Sequence, residues 1–133
     1  MRRIPVSLGA RSYDIVVGYG IIGKLGDAAR DLGLGSKQMI VSSQRVWPLY
    51  GKNVYDSLST SGFDVSETLV SDDEEAKSFQ TLTTIFDNLL ERDFERSSGI
   101  IAVGGGVVGD IAGFAAATFM RGIRFVQVPT TLL

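Results

Sequence analysis

The sequence contains no cysteine and no histidine among its 133 residues. The absence of cysteine excludes disulfides, thiolate metal sites and a cysteine nucleophile. The absence of histidine removes the commonest metal ligand and the commonest general base at neutral pH. The chain therefore lacks the side chains that most often build a metal centre or perform acid–base catalysis.

An excess of charge of either sign is also absent. The chain has 13 Lys and Arg residues and 15 Asp and Glu residues, so its formal net charge is -2. This balance argues against a nucleic-acid-binding surface as the main role of the chain. Hydrophobic residues make up 44% of the sequence and charged residues 21%. Those proportions indicate one globular domain with a buried core and exclude intrinsic disorder.

No hydrophobic run is long enough for a membrane span. The most apolar stretch, residues 100–120, is interrupted by Asp110 and several glycines and is closed by Arg121, whereas a spanning helix needs about 20 continuous apolar residues. Arg2 and Arg3 are not followed by the apolar segment of a secretory signal. We therefore expect a cytoplasmic protein without a membrane or nucleic-acid partner.

The order of hydrophobic patterns predicts an α/β fold. Two β-rich runs at residues 4–8 and 13–17 predict an N-terminal β-hairpin. Helical spacing then alternates with short apolar strands, and an acidic segment at residues 71–74 is expected to cap the third helix. Alternation of this kind predicts a Rossmann-like, doubly wound and mostly parallel sheet. The predicted helices are 21–32, 46–58, 71–92 and 107–120, and the predicted strands after the hairpin are 39–41, 63–70, 99–103 and 125–128.

Three consecutive glycines, Gly104 to Gly106, separate a predicted strand from a predicted helix. Glycines let main-chain N–H groups approach an anion at a helix N-terminus, where the helix dipole also favours negative charge. The spacing satisfies G-x-G-x-x-G, but the dinucleotide fingerprint normally has an acidic residue about 20 positions on. No Asp or Glu follows Asp110. The residues alone leave two interpretations open, a phosphate-binding turn or a turn that packs a helix closely on the sheet.

Other polar residues also have two interpretations. Glu74 and Lys77 have the i, i+3 spacing of a surface ion pair, and the same groups could contact a ligand. Arg121 could complement a helix dipole or bind a phosphate. Thr130 and Thr131 follow a predicted strand, where hydroxyls either cap a helix or line the ligand-binding edge of a parallel sheet.

The segment from Gly104 to Gly122, GGGVVGDIAGFAAATFMRG, followed by FVQVPTTLL at residues 125–133, closely resembles the 3-dehydroquinate synthase family. The predicted hairpin and the acidic segment before residues 74–78 are also similar. The resemblance covers the whole chain, but the chain covers less than half of the family's protein. Because it also stops in an apolar run directly after a strand, we expect residues 1–133 to be a truncated N-terminal NAD-binding α/β domain that lacks the family's C-terminal helical metal domain.

The resemblance implies a lyase of the shikimate pathway, which leads to chorismate and the aromatic amino acids. The family converts 3-deoxy-D-arabino-heptulosonate 7-phosphate, a sugar phosphate, to 3-dehydroquinate and phosphate. It uses NAD, a divalent metal (zinc or cobalt) and a homodimeric assembly. The family's catalytic lysines and its metal ligands correspond to positions beyond Leu133, so no catalytic or metal-binding residue is expected within this chain, which alone would be inactive and unable to bind the metal.

Site residues carry over from the family position by position. The resemblance implies that the NAD diphosphate would lie on Gly105, Gly106, Val107, Val108 and Gly109, the nicotinamide ribose near Asp110, and further NAD contacts on Thr130 and Thr131. Glu74 and Lys77 would hold the adenosine ribose, and Arg121 would reach the substrate phosphate across a dimer interface. Two alternatives remain: a related sugar-phosphate cyclase acting on another heptulose phosphate, and a nucleotide-binding module without catalysis.

Overall fold

The structure, a computed structural model, describes residues 1–132. Two antiparallel strands, β1 (Arg2–Val6) and β2 (Tyr13–Val17), form a separate hairpin, and four parallel strands form the main sheet in the order β4-β3-β5-β6. The prediction of an α/β fold with a parallel sheet and an N-terminal hairpin is confirmed. The strands of the main sheet are β3 (Lys37–Ser43), β4 (Asp64–Val70), β5 (Gly99–Gly104) and β6 (Arg124–Pro129), and the α-helices are α1 (Leu25–Asp31), α2 (Lys52–Thr60), α3 (Phe79–Glu91) and α4 (Gly106–Thr118).

Helices cover both faces of the sheet. Successive side chains of a strand point to opposite faces, so in β5 the side chains of Ile100 and Ala102 pack with α3 and α4, whereas those of Ile101 and Val103 pack with α1 and α2. All six residues of β5 are buried. A central strand that is buried on both faces is why the sequence shows an uninterrupted apolar run there.

The strand order predicts at which edge of the sheet a ligand would bind. After β3 the chain adds β4 on one side, and it then returns to place β5 on the other side of β3. In open α/β sheets, ligands bind outside the carboxyl ends of the strands near such a reversal. The carboxyl ends of β3 and β5 meet where Ser42 pairs with Val103, and the glycine turn follows β5 directly.

The prediction that the acidic segment at 71–74 caps the third helix is wrong. The acidic segment at 71–74 leads into a separate 3-10 turn, Glu74–Ala76, and α3 begins only at Phe79. Its cap is Ser78, whose Oγ accepts the main-chain N–H of Thr81 at 3.2 Å. The chain cannot be one continuous helix because Lys77 has a non-helical backbone (φ -76°, ψ 69°).

Two further predicted helices have irregular starts. The predicted helix at 21–32 consists of a 3-10 turn, Ile21–Lys24, followed by α1, and the one at 46–58 opens with a wide π turn, Trp47–Gly51, before α2. No helix within residues 1–132 is long and apolar enough to cross a membrane.

Candidate functional site

The glycine turn leaves the N-terminus of α4 open. Gly105 precedes the helix in an extended conformation, and no side chain caps the helix. The first hydrogen bond of the helix runs from the N–H of Gly109 to the carbonyl oxygen of Gly105, at 3.0 Å. The N–H groups of the first helical turn have no partner inside a helix. They therefore face the carboxyl edge of the sheet as hydrogen-bond donors at the positive end of the helix dipole.

The glycines of the turn have different tasks. A Cβ on Gly104 would lie 2.8 Å from the Cβ of Val108, so this glycine lets α4 pack closely on β5. A Cβ on Gly106 would meet no atom within 4 Å, so this glycine leaves open space instead. Neither adopts a positive φ. Close packing therefore explains Gly104, whereas the unobstructed main chain at Gly106 is compatible with phosphate binding, which stays a prediction.

Only the main chain of Val108 is available to a ligand at the turn. Its side chain is fully buried in the core between the sheet and α3, whereas its N–H belongs to the open first turn of α4. The family resemblance assigned Val107 and Val108 to the diphosphate site. For Val108, that assignment is compatible with the structure only through the N–H group.

A cleft of about 200 Å³ lies between the first turn of α4 and the carboxyl ends of β5 and β6. The N–H of Thr130 donates to the carbonyl oxygen of Gly104 at 3.0 Å, which holds the chain after β6 at the rim of this cleft. Pockets for drug-sized ligands measure about 300–1,000 Å³, so the cleft has room for only part of a dinucleotide. Its polar and glycine lining comprises Gly104, Gly105, Gly106, Gly109, Asp110, Gln127 and Thr131.

Lys77 joins the acidic segment to the first turns of α4. Its Nζ lies 2.8 Å from Oδ2 of Asp110 and 3.3 Å from Oε2 of Glu74. The hydrogen bond to Asp110, followed by that to Glu74, raises the pKa of Lys77 above its usual 10.5. The structure thus brings three sequence-predicted residues into one ion-pair cluster. The predicted ion pair of Glu74 and Lys77 is present, but it lies on the 3-10 turn before α3 and not on a helix face.

The raised pKa of Lys77 makes its contribution to stability depend on pH at the alkaline end. The ammonium is stabilised more in the folded chain than in the unfolded one, so this contribution is fully present below pH 10.5 and is lost as the pH rises through the raised value. We expect Lys77→Met to lower the free energy of unfolding by the same small amount at pH 7 and pH 9, and by less at pH 11. Urea unfolding followed by circular dichroism measures this, and an undiminished difference at pH 11 would contradict the ion-pair assignment.

Arg121 is not brought into the cleft by its own chain. It follows the C-terminal end of α4, and a helix of 13 residues rises about 20 Å at 1.5 Å per residue. The backbone there is strained, since Met120 and Arg121 have φ values of 47° and 66°. Left-handed conformations of this kind are costly for residues other than glycine and concentrate at functional positions. A role for Arg121 at a substrate phosphate of another chain stays a prediction.

Gln127 was missed by the sequence reasoning. It lies on β6, and its side chain faces α4, as does that of Phe125 two residues earlier. The signal was present in the sequence: Gln127 is the one polar residue in the run Phe125 to Val128, at the strand position that points to the same side as the core residue Phe125.

Metal ligands do not converge anywhere in the described part of the chain. Among residues 1–132, no group of three or more His, Cys, Asp or Glu side chains is arranged to hold a metal ion. Leu133, the last residue of the motif that carries the family resemblance, lies outside the described residues.

Known proteins share the segment that builds this site. The model of the 3-dehydroquinate synthase N-terminal family matches residues 67–133, which include the acidic segment, the glycine turn, α4 and β6. The chain belongs to this family. Over all 133 residues it is 47% identical to the 3-dehydroquinate synthase of Syntrophotalea carbinolica and 50% identical to that of Geobacter metallireducens. It spans 37% of the length of each of these relatives.

Solved structures agree with the fold. A 2-deoxy-scyllo-inosose synthase superposes with a TM-score of 0.87 at 23% identity, over 97% of this chain and 36% of that one. The 2-epi-5-epi-valiolone synthase of Streptomyces hygroscopicus subsp. jinggangensis, with NAD+ and Zn2+ bound, superposes with a TM-score of 0.78 at 30% identity. This match covers 96% of the chain and 35% of the synthase.

Proposed function

We propose that this chain forms the NAD-binding part of a 3-dehydroquinate synthase. The observation that carries the proposal is the uncapped N-terminus of α4, which opens through Gly105 and Gly106 into the cleft at the carboxyl edge of the sheet. A diphosphate needs main-chain N–H donors, a positive helix end and room for close approach. The turn supplies all three, because a Cβ on Gly106 would point into open space.

Residues at the cleft and in the neighbouring ion-pair cluster would hold the remainder of the cofactor. In this proposal the hydroxyls of the adenosine ribose bind Glu74 and Lys77, Asp110 accepts from the nicotinamide ribose, and Thr130 and Thr131 contact the dinucleotide from the rim. Lys77 already lies within hydrogen-bond distance of both carboxylates. These two riboses would therefore be held by one connected cluster, so that a shift of the turn at 74–76 is transmitted to the first turns of α4.

The reaction proposed for the whole protein is the conversion of 3-deoxy-D-arabino-heptulosonate 7-phosphate to 3-dehydroquinate and phosphate, a cytoplasmic step of the shikimate pathway. Relatives at 47% and 50% identity that carry this name support it. Bound NAD supplies a transient acceptor for hydride from a substrate hydroxyl. The part of this chain is to bind and orient that cofactor. The divalent metal, zinc or cobalt, finds no ligand set among residues 1–132, and we assign it no role here.

In the proposed homodimer, Arg121 would bind the substrate phosphate of the second chain. A guanidinium binds phosphate oxygens through two parallel N–H groups, and the strained backbone at Met120 and Arg121 fixes the direction in which this side chain leaves α4. Because the length of α4 separates Arg121 from its own cleft, the substrate phosphate that it binds would belong to the site of the second chain.

A chimaera tests the proposed reaction. Residues 1–133 replace the aligned residues of the Syntrophotalea carbinolica enzyme, a match that covers all of this chain. We expect the chimaera to release phosphate from 3-deoxy-D-arabino-heptulosonate 7-phosphate, and the same chimaera carrying Gly106→Val to release none. Phosphate release is followed by a coupled colorimetric assay.

Two outcomes of the chimaera would contradict the proposal. A folded chimaera that binds NAD but releases phosphate only from a different sugar phosphate would favour a related sugar-phosphate cyclase, such as the superposed inosose and valiolone synthases. A chimaera that binds NAD and acts on no sugar phosphate would favour a nucleotide-binding module without catalysis.

A further inference from the structure

Helix α4 meets β6 through glycines that are spaced four residues apart. A Cβ on Gly113 would lie 3.2 Å from the ring of Phe125, and one on Gly109 would lie 3.9 Å from Oε1 of Gln127. A Cβ on Gly105 would lie 3.4 Å from Cγ2 of Thr131. Residues four apart lie on one face of a helix, so the chain from β6 to the rim runs along a single side of α4.

Gln127 differs from Phe125, its neighbour on the same face of β6. Phe125 packs against the core, whereas Gln127 is exposed and lines the cleft. Its amide forms no hydrogen bond within the part of the chain that the structure describes. Packing against the helix therefore does not require a polar residue here, and an apolar side chain of similar size would fill the position equally well.

The position of Gln127 indicates which part of a dinucleotide it can reach. It faces Gly109, the residue directly before Asp110, and lies on the wall of the cleft opposite the open first turn of α4. The side-chain amide both donates and accepts hydrogen bonds and carries no charge. Those properties match a sugar hydroxyl, which also donates and accepts, better than they match a diphosphate, which only accepts.

We propose that the Gln127 amide is a further cofactor-binding residue, which hydrogen-bonds the nicotinamide-side ribose beside Asp110. This inference rests on the proposed function, since it names one more contact within the same cleft. It assigns the ribose two neighbours of different character: a carboxylate that accepts from its hydroxyls, and an amide that can donate to them.

Calorimetric titration of NAD, ADP-ribose and ADP into the chain and into Gln127→Leu tests the proposal. Losing one net hydrogen bond weakens binding by about 2- to 12-fold. We expect this loss for NAD and ADP-ribose, which contain the second ribose, and no change for ADP, which lacks it. Arg124→Leu, an exposed position at the opposite end of β6, is the control and should leave all three affinities unchanged.

Several results would overturn the proposal. These are unchanged affinities in Gln127→Leu, an equal loss for all three ligands, or a loss for NAD alone, which would place the contact on the nicotinamide ring. A wild-type chain that binds none of the ligands would overturn the proposed function and this inference with it, whereas the other results leave the proposed function standing. If Gln127→Leu does not fold by circular dichroism, Gln127→Met provides the same comparison, because methionine is also unbranched, has a similar length and lacks both the amide and a charge.

Discussion

Gly106→Val is expected to abolish NAD binding while leaving the fold intact. Valine would place its branched side chain where a Cβ now meets no atom within 4 Å, which is the space through which a diphosphate would approach the N–H groups of α4. Losing two hydrogen bonds to a charged group, at about 1.5–3 kcal/mol each, corresponds to a loss of affinity of about 100-fold or more. The backbone of Gly106 is helical with an ordinary negative φ, so valine introduces no strain there.

The measurement combines calorimetric titration of NAD with thermal unfolding of the same samples. Gly23→Val is the matched control, because Gly23 is also exposed, has no atom within 4 Å of its Cβ position and lies in the 3-10 turn Ile21–Lys24. We expect the control to bind NAD as the wild type does. An unchanged affinity in Gly106→Val would remove the diphosphate from this turn. A lower melting temperature would instead show that the turn is sensitive to any side chain.

The regular elements were predictable because their causes are local. The apolar run of β5 has to be buried on both faces, and a run buried in this way between helices is typical of a parallel sheet. The alternation of helical spacing with short apolar strands was enough to predict helices on both faces of the sheet. The two core layers around Ile100 and Ile101 follow from the same alternation of side chains along the strand.

Other features depend on neighbours that are remote in sequence or on a few backbone angles. The predicted cap at 71–74 fits helix capping in general, but Ser78 is the residue whose hydroxyl reaches the first turn of α3. Gly104 is needed for close packing and Gly106 is not, because Val108 lies against the Cβ position of Gly104 alone. Gln127 stands out locally as the one polar residue in its strand run, but it belongs to the cleft because α4 lies over β6, and the strand pattern does not show that contact.

The pairing of Lys77 with Asp110 illustrates the same limit in the site itself. The spacing of Glu74 and Lys77 was sufficient to predict their ion pair, but the shorter contact of Lys77 is to Asp110, which lies 33 positions further along the chain. Family resemblance assigned these residues to two different riboses. The geometry connects them into one cluster, which no spacing rule could have predicted.

Ile101→Ala is expected to cause a large loss of stability. Ile101 is fully buried at the centre of β5 and packs in the core layer that contains Ala29, Val54 and Leu58. Truncating a buried isoleucine to alanine costs about 2–5 kcal/mol, because apolar contacts are lost and a cavity remains. That is a large part of the roughly 5–15 kcal/mol by which a domain is stable.

Urea unfolding measures this loss, with Leu90→Ala as the control. Leu90 is a residue of α3 with 57% of its surface exposed, so its truncation should cost less than about 1 kcal/mol. A similarly small loss for Ile101→Ala would contradict a core layer between the sheet and α1 and α2.

Because β5 also carries the glycine turn, a large loss implies that NAD binding in Ile101→Ala weakens through partial unfolding. In Ile101→Ala, NAD binding should then recover when the urea concentration or the temperature is lowered. In Gly106→Val it should not recover, because the fold is intact and the space for the ligand is gone.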